Sequence, residues 1–234
     1  MEQNESVSVP NAELEVTKAT QKMHQREIEI FTEVQNIFLN GFSSIPTFEY
    51  KDESEYICLL ILIRTLNSIR CSIELMMKGY YSQSMSILRT ITEDWFICGT
   101  VKENVQVRDC LIRDKKMPHY KDLAIQMNAL NVYEGDYHYQ SQFTHSSRLS
   151  LRVLYDLDNN VAKVAPSYDE SLFLLCAESL MRVSILMCAV FATLLTDLDK
   201  EKAQSWSENN IAKLDSVTNW LGELREKYGG NSEE

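Results

Sequence analysis

The run GYYSQSMSILRTITEDWFI, residues 79 to 97, decides the fold because it has the pattern of one apolar helix that carries a charged pair. Arg89 and Glu93 stand one helical turn apart. At about 100° per residue, Glu93 lies about 40° to one side of Arg89 and Met85 about 40° to the other. An isolated charge is costly to bury, so such residues pair with each other or with neighbouring polar groups. The run therefore predicts a helical core that contains a polar cluster.

The composition favours an all-α protein. A chain of 234 residues, 44% of them hydrophobic, can bury one large core. Only seven glycines and four prolines occur, and the segments between them lack strict apolar and polar alternation. We expect an antiparallel helical bundle with long central helices. The net charge of −11 opposes non-specific attraction to nucleic acid and leaves RNA binding to local basic patches.

The cysteines and the first residues indicate a cytoplasmic protein. No Cys-x-x-Cys spacing occurs, which predicts free thiols in a reducing compartment rather than disulfides or a metal site. The chain starts with neither a basic leader nor an apolar signal core. The most apolar stretch, 172 to 195, has Glu178 and Arg182 near its middle, so we expect a buried core helix and no membrane association.

The chain is predicted to contain one domain. We expect a disordered N-terminal tail over 1–11, a helical-bundle domain over 12–228 and a disordered tail over 229–234. Gly79 predicts a tight turn between two antiparallel helices, and Ser167 with Glu170 predicts a capping box before the apolar helix. The predicted helices cover 11–40 (stopping at Gly41), 54–78, 82–102, 119–131, 136–155, 168–196 and 205–228.

The helix over 54–78 carries a second polar stripe. It is apolar nearly all round, as a central helix would be, yet Arg64, Asn67, Ser68 and Cys71 fall within about 60° of one direction. The antiparallel turn would allow Arg64 and Arg89 to face each other in the core.

His145 is a candidate for proton transfer because histidine titrates near neutral pH. A histidine that is hydrogen-bonded within the core is the alternative. A helix over 136–155 would place His138, His145 and Arg152 on one line. The two histidines would lie roughly 10 Å apart, too far to share a metal by themselves.

We expect no metal and no cofactor, and the chain has no Gly-rich phosphate loop.

Four segments resemble the DUF5677 family of bacterial helical proteins of unknown function: RTLN (64–67), KGYYSQSM (78–85), LRTITE (88–93) and SQFTH (141–145). The likeness covers roughly 55 to 195, and Arg64, Arg89, Glu93, Ser141 and His145 match position by position. That family is similar to HEPN-like domains, which include RNA-cleaving toxins, antiviral effectors and non-catalytic members. The resemblance implies a HEPN-like fold and a role in bacterial defence or stress.

The Arg-x4-6-His motif of HEPN ribonucleases has one weak counterpart here. Arg113 and His119 have the spacing, but Pro118 interrupts the helix that the motif would need.

Two main functions follow. In the first, the protein is a non-enzymatic interaction module that binds a protein partner or itself, and a satisfied network fixes its packing. That network comprises Arg64, Asn67, Arg89, Glu93, Ser141 and His145. In the second, it is a metal-independent endoribonuclease in which His145 transfers protons, Glu93 acts as a base or orients it, and Arg64 and Arg89 stabilise phosphate charge. A small-molecule sensor is a third hypothesis. The acidic charge favours the first.

Overall fold

Helices make up nearly all of the described chain, which confirms the all-α prediction. The computed structural model describes residues 8–45, 50–144, 150–151, 153–156, 161–163 and 165–228. The helices are α1 (Val9–Met23), α2 (Gln25–Ser43), α3 (Glu53–Met77), α4 (Tyr81–Thr100), α5 (Val105–Arg113), α6 (Tyr120–Gln126), α7 (Leu130–Val132), a π-helical segment (Tyr133–Tyr137), α8 (His138–Thr144), α9 (Glu170–Leu198) and α10 (Lys200–Tyr228). Two short antiparallel strands, β1 (Tyr155–Asp156) and β2 (Val161–Ala162), pair with each other.

Helix α9 is the centre of the bundle and packs against α2, α3, α4 and α10. Phe173, Leu180, Met187 and Phe191 along it are fully buried. Both α3 and α9 are long and apolar enough to cross a membrane, judged by length and composition alone. In the bundle, 56% of the most apolar window of α9 is buried but only 33% of that of α3. The prediction of a buried core helix is therefore confirmed for α9, whereas α3 has an open outer face.

Helices α3 and α4 form the predicted antiparallel pair. Gly79 adopts φ +85°, a left-handed conformation that favours glycine, so the turn forms where the sequence places it. Ser72 on α3 and Ser84 on α4 hydrogen-bond across the pair at 2.8 Å.

The predicted single helix over 11–40 is wrong, because it is broken at His24. His24 has φ −128° and ψ 39°, outside the helical region, and separates α1 from α2. Its ring turns into the bundle, where it stacks on Phe173 at 4.1 Å between centroids. Helix α1 also begins at Val9, with Pro10 in its first turn, so residues 9–11 are helical and do not belong to the predicted tail.

Two further differences concern the start of α9 and the region around 136–155. Asp169, not Ser167, caps α9, since its carboxylate accepts a hydrogen bond from the Leu172 amide at 3.0 Å. The predicted helix over 136–155 begins earlier, at Leu130, includes the π-helical segment and reaches Thr144, while Tyr155 lies in β1. Residues 145–149 and 152 lie outside the described residues, so the predicted line of His138, His145 and Arg152 stays a prediction.

Helix α10 lies along α2 and joins distant parts of the chain. The Trp206 indole N–H donates to the carbonyl of Ile37 at 3.0 Å. Trp206 also packs on Phe191 of α9, with 5.5 Å between ring centroids. The last helix therefore covers both α2 and α9.

The sequence predicted that the helix over 11–40 stops at Gly41, but Gly41 lies inside α2. A Cβ at this position would stand 2.0 Å from Cε1 of Phe191, so glycine is required by the close approach of α9. Phe191 is fully buried, and Phe38 and Phe42 pack edge-on against it. The Phe191 ring is therefore held by its neighbours and cannot move away from an added Cβ.

We expect Gly41→Ala to destabilise the fold by about 2 kcal/mol, because the added methyl forces α2 away from α9. The matched control is Gly222→Ala in α10, where a Cβ would meet nothing within 4 Å. That variant should instead be more stable by about 0.5–1 kcal/mol, since alanine favours helix. Urea denaturation of both proteins measures the difference, and equal effects would contradict the packing argument.

Candidate functional site

A polar cluster is built around the charged pair of α4 and consists of Arg89, Glu93, Tyr120 and Tyr137. Arg89 Nη2 lies 3.0 Å from Glu93 Oε1 and donates to the Tyr137 hydroxyl, also at 3.0 Å. The Tyr137 hydroxyl in turn donates to Glu93 at 3.2 Å. The three side chains close a triangle, so the prediction that Arg89 and Glu93 pair within the bundle is confirmed.

The π-helical segment brings Tyr137 to the cluster. Its ring stacks on Tyr133 at 5.1 Å and meets Phe96 of α4 edge-on at 6.2 Å. The Arg89 guanidinium lies over the same ring, 5.1 Å from its centroid, where cation–π attraction adds to the hydrogen bond. Ser141 donates to the backbone carbonyl of Tyr137 at 2.7 Å. Ser141 therefore supports the segment rather than joining the side-chain triangle.

Arg89, Tyr120 and Tyr137 each keep one protonation state around neutral pH. Burial raises the pKa of Tyr120 and of Tyr137, and the nearby Glu93 carboxylate raises both further. Burial alone would lower the pKa of Arg89, but its bonds to Tyr137 and Glu93 leave that pKa above its ordinary value. At neutral pH the arginine is a cation and both tyrosines are neutral. The geometry suits a neutralised ion pair rather than a group that gains and loses protons.

A second ion pair anchors the π-helical segment to α9. Arg182 binds Asp136 through two bonds, Nε to Oδ1 at 2.7 Å and Nη2 to Oδ2 at 2.8 Å. The predicted partner, Glu178, lies farther away at 3.8 Å. Paired bonds of this kind fix both distance and orientation. Asp136 precedes Tyr137 in sequence, so this pair also positions the polar cluster.

Arg64 and Arg89 do not face each other, contrary to the prediction. Arg64 binds Asp94 of α4 through two N–H groups, with Nε 3.1 Å from Oδ2. Asp94 lies about 140° around α4 from Arg89 at 100° per residue. The side chain of Arg64 is 54% exposed and that of Asp94 only 1%. The predicted single network is therefore divided between two sides of α4.

The other predicted members are also separated. Asn67 is exposed on the outer face of α3, away from the polar cluster. His145 lies outside the described residues, so its proposed role stays a prediction. Arg113 ends α5 and His119 precedes α6, which places the two residues of the Arg-x5-His spacing at different helices. Within the described ranges, no three His, Cys, Asp or Glu side chains are arranged to hold a metal ion.

A further polar group, which the sequence did not predict, lies at the break between α1 and α2. His24 Nε2 lies 2.8 Å from the Tyr168 hydroxyl, and His24 Nδ1 lies 3.5 Å from Glu27. The Trp220 indole N–H donates to the same Glu27 carboxylate at 3.0 Å. His24, Glu27 and Trp220 line a cavity of about 200 Å³ between α2 and the ends of α9 and α10. The spacing of His24 and Glu27, one turn apart, was the only local signal.

Comparisons with protein-family models, with curated proteins and with solved structures each gave no match. The assignment of the polar cluster therefore depends on its geometry.

We expect Arg89→Ala to lower the free energy of unfolding by about 2 kcal/mol, because it leaves the Glu93 carboxylate beside two partly buried tyrosines without a cation. Both side chains of the pair keep 19% exposure, so the loss should be smaller than for a fully buried pair. Arg26→Ala is the control, since its pair with Glu223 is more than half exposed and should change little. Similar losses in urea denaturation would contradict a structural role for the cluster.

Asp94 gives a pH-dependent prediction. Burial raises its pKa to about 6, although Arg64 opposes the shift. Between about pH 4 and pH 6 the folded state keeps a proton that the unfolded state releases, so stability falls as pH rises through this range. Asp94→Asn should remove roughly 2 kcal/mol of that fall, measured by urea denaturation at both ends of the range. An unchanged pH dependence would show that Asp94 is ionised throughout.

Proposed function

We propose that the protein is a non-enzymatic helical interaction module that self-associates through the outer face of α3. The observation that carries this proposal is a row of large, partly exposed apolar side chains in the first half of α3, the bundle's second most apolar long helix. Tyr56, Leu60 and Ile63 are 44%, 47% and 44% exposed. Contiguous apolar surface of this kind is characteristic of sites that bind another protein.

The exposed residues follow the spacing of a coiled-coil seam. Their positions alternate in steps of four and three, which places them on one stripe of the helix. We call this stripe the α3 seam; it comprises Tyr56, Leu60, Ile63, Asn67, Arg70 and Glu74. Its first half is apolar and its second half polar, a division that fits a protein surface better than a lipid one. Two residues of the seam, Leu60 and Ile63, also line a groove of about 470 Å³ between α3 and α4, together with Ile87.

The seam is complementary to itself. If a second copy of α3 runs antiparallel about a two-fold axis at Leu60, the two Leu60 side chains meet and Tyr56 faces Ile63 of the second copy. Glu53 then falls between Arg64 and Arg70 of that copy, one helical turn apart or less on either side. All three are exposed. An isologous dimer therefore joins apolar to apolar surface and opposite charges to each other.

The expected dimer is weak. Fully burying a Leu or Ile side chain stabilises by about 1.5–3 kcal/mol, so enclosing a half-exposed one contributes about 1 kcal/mol. Six such side chains from two copies give about 6 kcal/mol, near the lower end of the cost of association, about 4–15 kcal/mol. Association should therefore depend strongly on concentration.

The polar cluster supports the non-enzymatic part of the proposal. Each charge in it is neutralised by another side chain of the same cluster, and Arg64 is held by Asp94 on a different side of α4. An endoribonuclease would need both arginines directed at one phosphate. The DUF5677-type and HEPN-like resemblance, and with it a role in defence or stress, stays a prediction.

Analytical ultracentrifugation over micromolar to submillimolar concentrations tests the α3 seam. We expect wild type to form a dimer as concentration rises and the double variant Leu60→Glu, Ile63→Glu to stay monomeric, because four carboxylates would meet at the axis. Ile211→Glu is the control, since Ile211 is 59% exposed on α10, away from the seam. A wild type that stays monomeric throughout would reject self-association. A control that is as monomeric as the double variant would reject the α3 seam as the interface.

RNA cleavage in EDTA separates the enzyme hypothesis from the proposal. If wild type cleaves RNA and Arg89→Lys stops cleavage while keeping the wild-type unfolding midpoint, the endoribonuclease hypothesis replaces the interaction module. If wild type leaves RNA intact while the α3 seam dimerises, the proposal stands.

A further inference from the structure

Two of the six cysteines lie together between α3 and α4, and neither is used by the proposed function. Cys58 Sγ stands 4.0 Å from the carbonyl oxygen of Cys98, and both cysteines line the same cavity. The other cysteines are placed differently. Cys71 is exposed, Cys110 contacts the Lys116 carbonyl, and Cys176 and Cys188 are buried in the core around α9. Cys58 and Cys98 thus form a thiol pair, whatever the oligomeric state of the protein.

The thiol pair is reachable from solvent. Both cysteines line an open cavity of about 360 Å³ where α3, α4 and α9 meet, together with Trp95 and Lys102. Cys58 is partly exposed and Cys98 buried, so Cys58 is the sulfur that a small reagent meets first. The cavity is large enough for a peroxide or a small organic hydroperoxide.

The two sulfurs differ in reactivity. The proximity of Cys98 lowers the pKa of Cys58, burial and the carboxylates of Asp52 and Asp197 oppose this shift, and the Lys102 ammonium adds to it. The pKa of Cys98 is raised well above its ordinary value by the proximity of Cys58 and by burial. A thiolate is the reactive form of cysteine. Cys58 is therefore suited to attack and Cys98 to remain a thiol until it resolves the product.

We propose that Cys58 and Cys98 are a hydroperoxide-reactive thiol pair that is converted to a disulfide joining α3 to α4. The Cys58 thiolate attacks one oxygen of the hydroperoxide; the S–O bond forms, the O–O bond breaks and the second oxygen leaves as an alcohol, or as water from hydrogen peroxide, after taking a proton. Cys98 then attacks the Cys58 sulfenic acid. The S–S bond forms, the S–O bond breaks, and hydroxide leaves as water with the Cys98 proton. Two thiols are oxidised and one hydroperoxide is reduced.

Reduced full-length protein treated with an equal amount of hydrogen peroxide tests the proposal. We expect the intact mass to fall by two hydrogens and a tryptic peptide pair joined through Cys58 and Cys98 to appear. Cys98→Ser should stop at the Cys58 sulfenic acid, trapped by dimedone. Cys58→Ser should form no such adduct, and Cys71→Ser, which removes the exposed thiol of α3, should behave like wild type.

A second measurement uses wild type alone, so its outcome does not depend on whether a variant folds. Native wild type is alkylated briefly with iodoacetamide at neutral pH, and the modified fraction of each cysteine is measured by peptide mass spectrometry. Cys58 should react faster than Cys71 although Cys71 is more exposed. Preferential reaction of Cys71, or peroxide oxidation that leaves Cys58 and Cys98 as thiols, would overturn the proposal and make the pair structural.

Discussion

Helix α9 has to be covered on every side, and this requirement arranges the helices around it. Its side chains are apolar almost all round, so α2, α3, α4 and α10 each turn an apolar face towards it. The charged side chains of α9 need partners on the elements that cover it. Arg182 finds Asp136, and that pair fixes the π-helical segment against the bundle. Tyr137 follows in sequence and closes the polar cluster on α4. The position of the cluster is therefore a consequence of covering α9.

Local patterns predicted those parts of the fold that depend on few residues. Gly79 marked the α3–α4 turn, because a left-handed backbone conformation favours glycine. The i, i+4 spacing of Arg89 and Glu93 predicted their pairing. The misplacement of Arg64 and Asn67 has a simple cause: a helical wheel shows which residues share a face but not whether that face turns inward. Arg64 and Asn67 share a face, and that face is open to solvent.

Other features had almost no signal in the sequence. Asp136 and Tyr137 reach Arg182 and Arg89 through a π-helical backbone that departs from the regular period used to predict the helix over 136–155. His24 breaks a helix without glycine or proline, because its ring gains contacts with Phe173 and Tyr168 from a distant part of the chain. Gly41 has the pattern of a helix end, yet it is required by the close packing of Phe191. Each depends on a tertiary contact that sequence spacing does not contain.

The adjacency of α2 and α10 bears on how the protein is made. Trp206 bonds to Ile37 across 169 positions, and Trp220 bonds to Glu27 across 193. During synthesis, α2 emerges from the ribosome long before α10 exists, so the contacts between the two helices cannot form until α10 is translated. Contacts over such separations also close slowly. We expect the α2–α10 interface to form late in folding.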